Sequence, residues 1–559
     1  MALTAQSSVA SLMRKTLDRQ AAVASVKLRF KQSQIENILK GYVKNGTAAP
    51  YNELIKVLKE YPLNDDNFRI LLEDCMYCVV ILGHEFKTFV DVLCSIEWAS
   101  RGEGLVHLYC LFLLSLVTAH SYHCPLVLRH LIKLFKAEDG ENWEEKSPSS
   151  DLVDKWSNIH HTIAQIIAMM PMTSDLLMQI LIDQFPYYKA SCFANRSYVY
   201  NLIWIGKYVP SLQEQIMTAI VNRMVVMDAN LVDKTKNQNQ NETIFEMEVD
   251  DQDDVSKSLD YCMLEMLEWL EDEKDPMLNI MCNVFERIIL PTHGIRHVQF
   301  LILYTVSVNQ QCADRILNNL WVVAAGLHSL GPGALTTRRT AASHLAGLLA
   351  RCIRVPNSRI VHYLRSMTDW CHSYITATQE SSTSCDTKVH GAFHAICHAI
   401  FYLVAFKSQL LFSTKENLNF IESLNLTRLV TSNLNPLKSC PPQVIRAFSS
   451  VTRSYQVVYC QAIIEKNSRL SLHSTTVQGY DDWFPYDPYS LSVSGKKLWP
   501  LCIEYKDWGK ANDEDQMSHL KRKREEDDDY LVHSPHKLAC NLSNCISPGF
   551  KNSDSISLG

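Results

Sequence analysis

Apolar residues recur every three or four positions along most of this chain, from about position 50 to position 465. The stretch 211–227, for example, places four apolar residues on one stripe: Leu212, Ile216, Ile220 and Met224. Such spacing is typical of amphipathic helices, and no run of alternating apolar and polar residues indicates a strand. The pattern predicts about twenty helices of roughly ten to twenty residues, joined by short polar breaks.

Many helices of similar length, with more apolar faces than one compact core could cover, predict stacked helix pairs. A pair spacing of about 40 to 47 residues would be that of HEAT or armadillo arrays, although the repeat is visible only as a rhythm. The predicted fold is therefore all-α, a HEAT-repeat-like superhelix (an α-solenoid). A compact helical bundle is the structural alternative.

The same pattern divides the chain into three regions. We expect a partly flexible N-terminal helix region at 1–45, the solenoid at 46–505 and a disordered tail at 506–559. Two polar, acidic segments near 136–151 and 233–254 interrupt the rhythm and are expected to be flexible insertions, because they contain few apolar residues.

Composition and charge exclude several classes of protein. The start of the chain lacks an apolar core with a cleavage site, so we expect no secretory signal and reduced cysteines in a soluble, intracellular protein. The most apolar run, 105–119, is too short to span a bilayer, and we expect a buried helix there and no membrane contact. The net charge of −6 argues against a protein that coats nucleic acid, and we expect no strong direct DNA binding.

Three histidines at steps of four are the first candidate for chemistry. His390, His394 and His398 share one helix face in the stretch 389–402. The outer two lie about 12 Å apart along the axis, which is too far for both to bind one zinc ion at roughly 2 Å. No neighbouring glutamate supplies a general base. The pattern favours helix packing, with the histidines on a semi-polar groove face.

No other motif supports an enzyme. Cys75 and Cys78 have CxxC spacing, but they lie in an apolar helical stretch without a second CxxC, so we expect buried structural cysteines. The chain has no nucleophile elbow, Walker loop or dinucleotide-binding loop. We therefore expect no catalytic activity, no cofactor and no metal.

The tail contains one dense basic cluster. Lys521, Arg522, Lys523 and Arg524 are consecutive cations in a polar segment, which predicts a nuclear localisation signal, the alternative being a solvated charge run. Ser534 and Ser547 each precede a proline and are candidate phosphorylation sites for proline-directed kinases.

Two further groups of hydroxyl side chains are candidate phosphorylation sites in the N-terminal half. Ser147, Ser149 and Ser150 lie in the first insertion, where a kinase can reach them. Thr173 and Ser174 lie at a predicted helix start. The alternative for this pair is a helix N-cap, which contributes about 1 kcal/mol, and both roles are compatible.

Several long stretches resemble one known family. They are 290–304 ("LPTHGIRHVQFLILY"), 389–406, 424–440 and 483–491 ("WFPYDPYSL"), with weaker similarity at 83–102 and 177–189. The family is that of the RNA polymerase I-specific transcription initiation factors called TIF-IA in animals, and the resemblance covers about 50–505. The motif positions are Leu290, Pro291, Thr292, His293, His297, Gln299, Phe300, His390, Gly391, Phe484, Pro485, Asp487 and Pro488.

The resemblance implies a HEAT-repeat superhelix without catalytic activity. Family members bind RNA polymerase I near its stalk and dock and touch a promoter-bound core factor that resembles TFIIB. Growth-dependent regulatory kinases switch this binding, and Thr173 and Ser174 stand where the family carries a regulated Ser/Thr pair. The expected location is the nucleus and nucleolus; homodimerisation of the free protein is left open. In the family the places of His394 and His398 commonly hold other residues, which argues against a metal triad.

A HEAT-type nuclear transport receptor or scaffold is the alternative function. It would share the architecture, but it should not need a basic import signal of its own in the tail.

Overall fold

The computed structural model describes residues 34–46, 48–136, 143, 147–231, 246–273, 275–327, 334–378, 387–471, 485–486 and 489–504. All of them lie in one compact unit that ends at Lys506. Most of the expected N-terminal region, parts of both expected insertions and the whole expected tail lie outside the described residues.

The described residues are mainly helical, and they include isolated β-bridges but no strand. In chain order the α-helices are α1 (Gln34–Asn45), α2 (Ala48–Glu60), α3 (Asp65–Cys78), α4 (Lys87–Cys94), α5 (Glu103–Ala119), α6 (Cys124–Lys133), α7 (Ser150–Met169), α8 (Ser174–Asp183), α9 (Cys192–Tyr208), α10 (Gln213–Ala229), α11 (Glu246–Glu273), α12 (Asp275–Val284), α13 (Phe300–Val308), α14 (Gln310–Ala325), α15 (Ala334–Arg351), α16 (Asn357–Thr378), α17 (Thr387–Phe406), α18 (Ser408–Leu411), α19 (Lys415–Ser423), α20 (Leu426–Val430), α21 (Pro442–Ser454), α22 (Gln461–Ser471) and α23 (Ser492–Leu498).

Polar side chains cap several of these helices. The side chain of Asn64 accepts a hydrogen bond of 3.1 Å from the N–H of Asn67 at the start of α3, and Asn309 does the same for α14. These caps satisfy N–H groups that have no partner within the helix. Helix α14 ends at Gly326, whose φ of +75° is a conformation that glycine adopts without steric cost.

One helix–turn–helix unit occurs three times in succession, as α5–α6, α7–α8 and α9–α10. Each first helix ends at a residue with φ between −139° and −121° and ψ between 76° and 80°, namely His120, Met170 and Val209. A three-residue 3-10 turn follows in each case: Ser121–His123, Pro171–Thr173 and Pro210–Leu212. The repeat that the sequence shows only as a rhythm is thus a repeated backbone conformation.

The helices stack in two layers. The first helices form one continuous row, in which α1, α3, α5, α7, α9 and α11 each contact the next. The second helices form the other row, in which α2, α4, α6, α8, α10 and α12 each contact the next. This arrangement confirms the predicted helical-repeat solenoid, because each unit buries its apolar faces against its neighbours rather than in one shared core.

Helix α17 is the core helix of the C-terminal half. It packs against α15, α16 and α21, and every residue from His390 to Phe406 is buried. By length and composition Val389–Phe406 could cross a membrane, as could two bent helix pairs, Glu103–Lys133 and Ser150–Asp183. In the folded chain, however, 94% of the window Val389–Phe406 is buried by protein. Its apolar character is accounted for by this packing.

After α22 the chain returns to the middle of the solenoid. Helix α23 packs on α11, and the residues after it pair with the end of α15. The N–H of Ile353 donates to the carbonyl of Leu501 at 3.1 Å, and the N–H of Ile503 donates to that of Arg351 at 2.7 Å. We call residues 485–486 and 489–504 the C-terminal strap.

Candidate functional site

Two of the family-like motifs that are far apart in the sequence contact each other. The side-chain amide of Gln299 donates to the carbonyl of Pro485. The ring of Phe300 packs against Tyr486 and Tyr489, with centroid distances of 5.4 and 4.7 Å. We call this contact of residues 297–300 with residues 485–486 and 489–490 the motif junction.

A buried carboxylate organises one side of the motif junction. Asp228, at the end of α10, accepts hydrogen bonds from the backbone N–H groups of Arg296, His297 and Val298 at 2.9, 2.7 and 3.0 Å. It also bonds Nδ1 of His297 at 2.8 Å, and Nε2 of His297 bonds the hydroxyl of Ser490 at 2.8 Å. These partners offset the cost of burying the charge, since Asp228 is only 2% exposed.

A glycine makes room for the aromatic side of the motif junction. Tyr486 is fully buried against α15, where its ring also contacts His344. A Cβ atom added to Gly347 would lie 2.4 Å from Cδ2 of Tyr486. Only glycine at this position of α15 lets the ring lie so close to the helix backbone.

A second buried carboxylate holds the strap on α11. Asp260 accepts hydrogen bonds from the N–H groups of Val493 and Ser494, both at 2.8 Å, at the start of α23. An acidic side chain is favourable there because it faces the unpaired N–H groups of a helix start. Lys497, on α23, adds an ion pair of 2.5 Å with Glu271, which lies on α11 like Asp260.

The structure places the remaining motif positions in three environments. Leu290 is buried, while Pro291, Thr292 and His293 form the partly exposed connection between α12 and α13. His390 and Gly391 are buried at the start of α17. The other motif positions lie outside the described residues: Phe484, Asp487 and Pro488.

The three histidines of α17 are buried, so the expected semi-polar groove face is wrong. Nδ1 of His390 bonds the hydroxyl of Tyr374 at 2.9 Å, and Nδ1 of His394 bonds that of Ser439 at 2.6 Å. Nε2 of His398 lies 3.3 Å from both the hydroxyl of Ser439 and a backbone carbonyl. Each ring thus packs in the core with a hydrogen-bond partner, and no group of three His, Cys, Asp or Glu side chains within the described ranges could hold a metal ion.

Burial keeps the imidazoles of His394 and His398 neutral. Desolvation, followed by the neighbouring His390, lowers the pKa of His394 to about 4. Desolvation, followed by the neighbouring His394, lowers the pKa of His398 to about 3. Both side chains are therefore uncharged at neutral pH.

The CxxC cysteines are buried in α3, as expected. Cys75 and Cys78 are both fully buried, and burial raises the pKa of Cys78 to about 11. A thiol with such a pKa is largely protonated at neutral pH, so it is a poor nucleophile and metal ligand.

The first group of candidate phosphorylation sites lies beside an aromatic anchor. Trp143 covers the guanidinium of Arg196 at 4.4 Å and pairs with Pro148 through its backbone. Ser147 is exposed, Ser149 precedes α7 and Ser150 is its exposed first residue. The end of the expected flexible insertion is therefore attached to the solenoid.

Thr173 and Ser174 lie in the turn between α7 and α8, and neither caps the helix. The hydroxyl of Thr173 donates to the carbonyl of Met170 at 2.7 Å, and that of Ser174 donates to the carbonyl of Pro171 at 2.9 Å. Both side chains are half-buried. The N-cap interpretation is wrong because the 3-10 turn directs both hydroxyls back toward preceding carbonyls.

The 3-10 turns of the first two units present exposed apolar side chains, and the third has the exposed Ser211 at the equivalent place. Since the first helices stack in order, these turns follow one another along one edge of the solenoid, which we call the turn edge (residues 120–123, 169–174 and 209–212). Met172 is 94% exposed, and Tyr122, at the equivalent place of the preceding unit, is 45% exposed. The turn edge thus combines apolar contact area with the Thr173–Ser174 pair.

Sequence reasoning missed the residues that hold the motif junction together. Asp228, Asp260 and Gly347 belong to no motif and stand among ordinary helical residues. Their partners lie between about 70 and 234 residues away, so no local spacing could have indicated them. The basic cluster Lys521, Arg522, Lys523 and Arg524, together with Ser534 and Ser547, lies outside the described residues.

Comparisons with known proteins agree on one family. The family model described as RNA polymerase I specific transcription initiation factor RRN3 matches residues 25–262 and 231–510. The mouse protein named RNA polymerase I-specific transcription initiation factor RRN3 is 27% identical over 93% of this chain and 86% of its own length. The fission yeast protein of the same name is 24% identical over 79% of this chain and 78% of its own length.

A solved structure shows the same fold. The crystal structure of RNA polymerase I transcription initiation factor Rrn3 superposes with a TM-score of 0.69 at 18% identity, covering 86% of this chain and 98% of that one. With the family model matching most of its length, this chain belongs to the RRN3 family of RNA polymerase I-specific transcription initiation factors.

Proposed function

We propose that this protein binds RNA polymerase I near its stalk and dock and bridges it to the promoter-bound, TFIIB-like core factor. The match of the family model to residues 25–262 and 231–510 carries this proposal. The architecture supports it, because a two-layered solenoid presents long surfaces to two protein partners at once. The same match argues against the transport-receptor alternative.

We propose the turn edge as a polymerase contact that kinases regulate. Exposed Met172 and Tyr122 supply apolar contact area, and Thr173 and Ser174 lie directly beside Met172. A phosphate adds about −1.5 to −2 charges. Ser174 is the first residue of α8, where a negative charge is compatible with the helix. The phosphate would therefore act on the partner rather than on the fold.

The family is one of initiation factors and not of enzymes. The hydrogen-bond order Asp228–His297–Ser490 resembles that of an acyl-transfer triad. Here the Asp228 carboxylate also accepts hydrogen bonds from three backbone N–H groups. His297 links this carboxylate to Ser490 of the strap. We assign the three residues a structural role.

We propose a nuclear and nucleolar location, with import directed by Lys521, Arg522, Lys523 and Arg524. The family's role in polymerase I initiation supports this location, because ribosomal RNA genes are transcribed there.

Purified components test the proposed function. The full chain is expected to bind purified polymerase I in a pull-down and to stimulate promoter-dependent initiation when core factor is present. Binding of polymerase I without stimulation would limit the function to polymerase binding. Failure of the folded protein to bind polymerase I would overturn the proposal.

A further inference from the structure

A groove of about 750 Å³ lies between α8 and α10 and is open to solvent. Its two walls come from neighbouring second helices of the solenoid, and Arg287 closes one rim. Along one wall the groove extends from Ser211, just before α10, to Val226, which is about 22 Å at the helical rise of 1.5 Å per residue. This length fits roughly four turns of a partner helix.

The groove exposes apolar side chains on both walls. Ile182 on α8 is 56% exposed, and Val226 on α10 is 41% exposed. Ala219 also lines the α10 wall, where its small side chain permits close approach. A single exposed apolar residue is ordinary, but here exposed apolar side chains line both walls of one groove.

The unpaired charge in the groove is positive. The guanidinium of Arg223 lies 4.8 Å above the ring of Phe185 and is half-buried. Within the part of the chain that the structure describes, no carboxylate lies within ion-pairing distance of Arg223. The other lining cation, Arg287, already pairs with Glu214 at 2.8 Å. Arg223 therefore offers planar N–H donors suited to a carboxylate.

Resting on the proposed function, we propose that this groove binds an acidic amphipathic helix of RNA polymerase I. The partner's apolar side chains, one helical turn apart, would cover Ile182 and Val226, and a carboxylate on the same helix would pair with Arg223. Helix-in-groove binding of this kind uses apolar anchors at intervals of three and four residues.

The groove begins at the turn edge. Ser211 belongs to the third 3-10 turn, and Met178, on the α8 wall, lies one helical turn after Ser174. A phosphate on Ser174 would therefore stand at the entrance of the groove and repel an acidic helix. This repulsion would explain how phosphorylation weakens binding of the polymerase.

Charge reversal in the full chain tests the groove. Arg223→Glu is expected to weaken binding of purified polymerase I by about tenfold or more, whereas Arg446→Glu, a matched change on the exposed face of α21, should leave it unchanged. If Arg223→Glu fails to fold, Ile182→Asn at the exposed wall provides the same test. If folded Arg223→Glu and Ile182→Asn both bind polymerase I with wild-type affinity, the proposed binding in the groove is wrong, while the proposed function stands. Absence of binding by the wild type would instead overturn the proposed function.

Photo-cross-linking identifies the occupant. A photoreactive residue at position 226, in complex with purified polymerase I, is expected to label a segment that has apolar residues at helical spacing and at least one Asp or Glu. A labelled segment that is basic, or that lacks helical spacing, would contradict the proposed chemistry. Position 459, where the exposed Tyr459 lies away from the groove, is the control.

Discussion

Nε2 of His297 lies 2.8 Å from the hydroxyl of Ser490, although 193 residues separate the two in the chain. The bond links the start of α13 to the C-terminal strap, and Asp228 links the same imidazole to the end of α10. Three segments distant in sequence are thereby fixed to one another. Residues 297–300 of the first motif and residues 485–486 and 489–490 of the second thus serve the fold at their point of contact.

Asp228→Asn is expected to lower the free energy of unfolding by about 1–3 kcal/mol, because the amide keeps the shape but loses the charge-assisted bonds to His297 and the backbone. Urea unfolding followed by circular dichroism measures the change. Asp369→Asn, at an exposed position in the interior of α16, is the control and should leave the midpoint unchanged. Equal midpoints for both variants would show that the Asp228 charge contributes nothing.

Gly347→Ala is expected to destabilise the protein by about 1–3 kcal/mol, because the new methyl group overlaps the ring of Tyr486. The strap should then detach, and proteases should cleave it more rapidly within residues 489–504. Gly102→Ala is the matched control, since nothing lies within 4 Å of its added Cβ. Tyr486→Leu should restore protease resistance in the Gly347→Ala background; failure to do so would contradict the steric cause.

Stability is expected to fall in acid because of the buried histidines. In the unfolded chain a histidine binds a proton below about pH 6.5, whereas the pKa of folded His394 is about 4 and that of His398 about 3. Stability is therefore full above about pH 6.5 and declines as the pH falls toward 4, by on the order of 1–2 kcal/mol per histidine at pH 5.

The double variant His394→Gln/His398→Gln tests this dependence. The slope of unfolding free energy between pH 6.5 and 5 should decrease, while metal content and initiation activity stay the same. An unchanged slope would assign the acid sensitivity to other groups. Stoichiometric zinc in the wild type that disappears in the double variant would overturn the packing role.

Aspartate at Thr173 or Ser174 is expected to reduce recovery of polymerase I in pull-downs, by about tenfold for each 1.4 kcal/mol of lost binding energy. Alanine at these positions should bind like the wild type. Ser373→Asp, on an exposed face of α16, controls for added charge alone. The same comparison applies to Ser149→Asp with Ser150→Asp. Equal recovery by all these proteins would remove the turn edge from the regulated surface.

Alanine replacement of Lys521, Arg522, Lys523 and Arg524 is expected to move a fluorescent fusion from the nucleus toward the cytoplasm. Import receptors read consecutive cations, which alanine removes. Unchanged nuclear accumulation would mean that another segment, or a bound partner, directs import.

Local pattern was sufficient for the helices and for the class of fold. The spacing of Leu212, Ile216, Ile220 and Met224 predicted the buried face of α10, and all four residues are buried. The burial of Cys75 and Cys78 also followed from their apolar surroundings. Such features depend on side chains three or four positions apart, which the sequence displays directly.

The burial of the α17 histidines and the orientation of the Thr173 and Ser174 hydroxyls could not be predicted from the sequence. Three histidines at steps of four suggest a partly exposed face, yet all three are buried. Tyr374, on α16, and Ser439, in the turn before α21, give His390 and His394 hydrogen-bond partners. Likewise, an N-cap requires an extended backbone before the helix, whereas Thr173 has φ −80° and ψ −4°. Packing against other segments determines the burial of α17, and the 3-10 turn determines the orientation of the two hydroxyls.

By itself, the sequence determined the helices, the stacked-pair architecture and the family, because each rests on local spacing or on contiguous motifs. Only the tertiary structure decided that Asp228, Gly347 and Asp260 hold the strap, and that Arg223 faces a groove without a carboxylate partner among the described residues. The physical reason is the range of the interactions. Helical periodicity joins residues within one turn, whereas a buried carboxylate or an aromatic ring finds its partners only after the solenoid brings distant segments together.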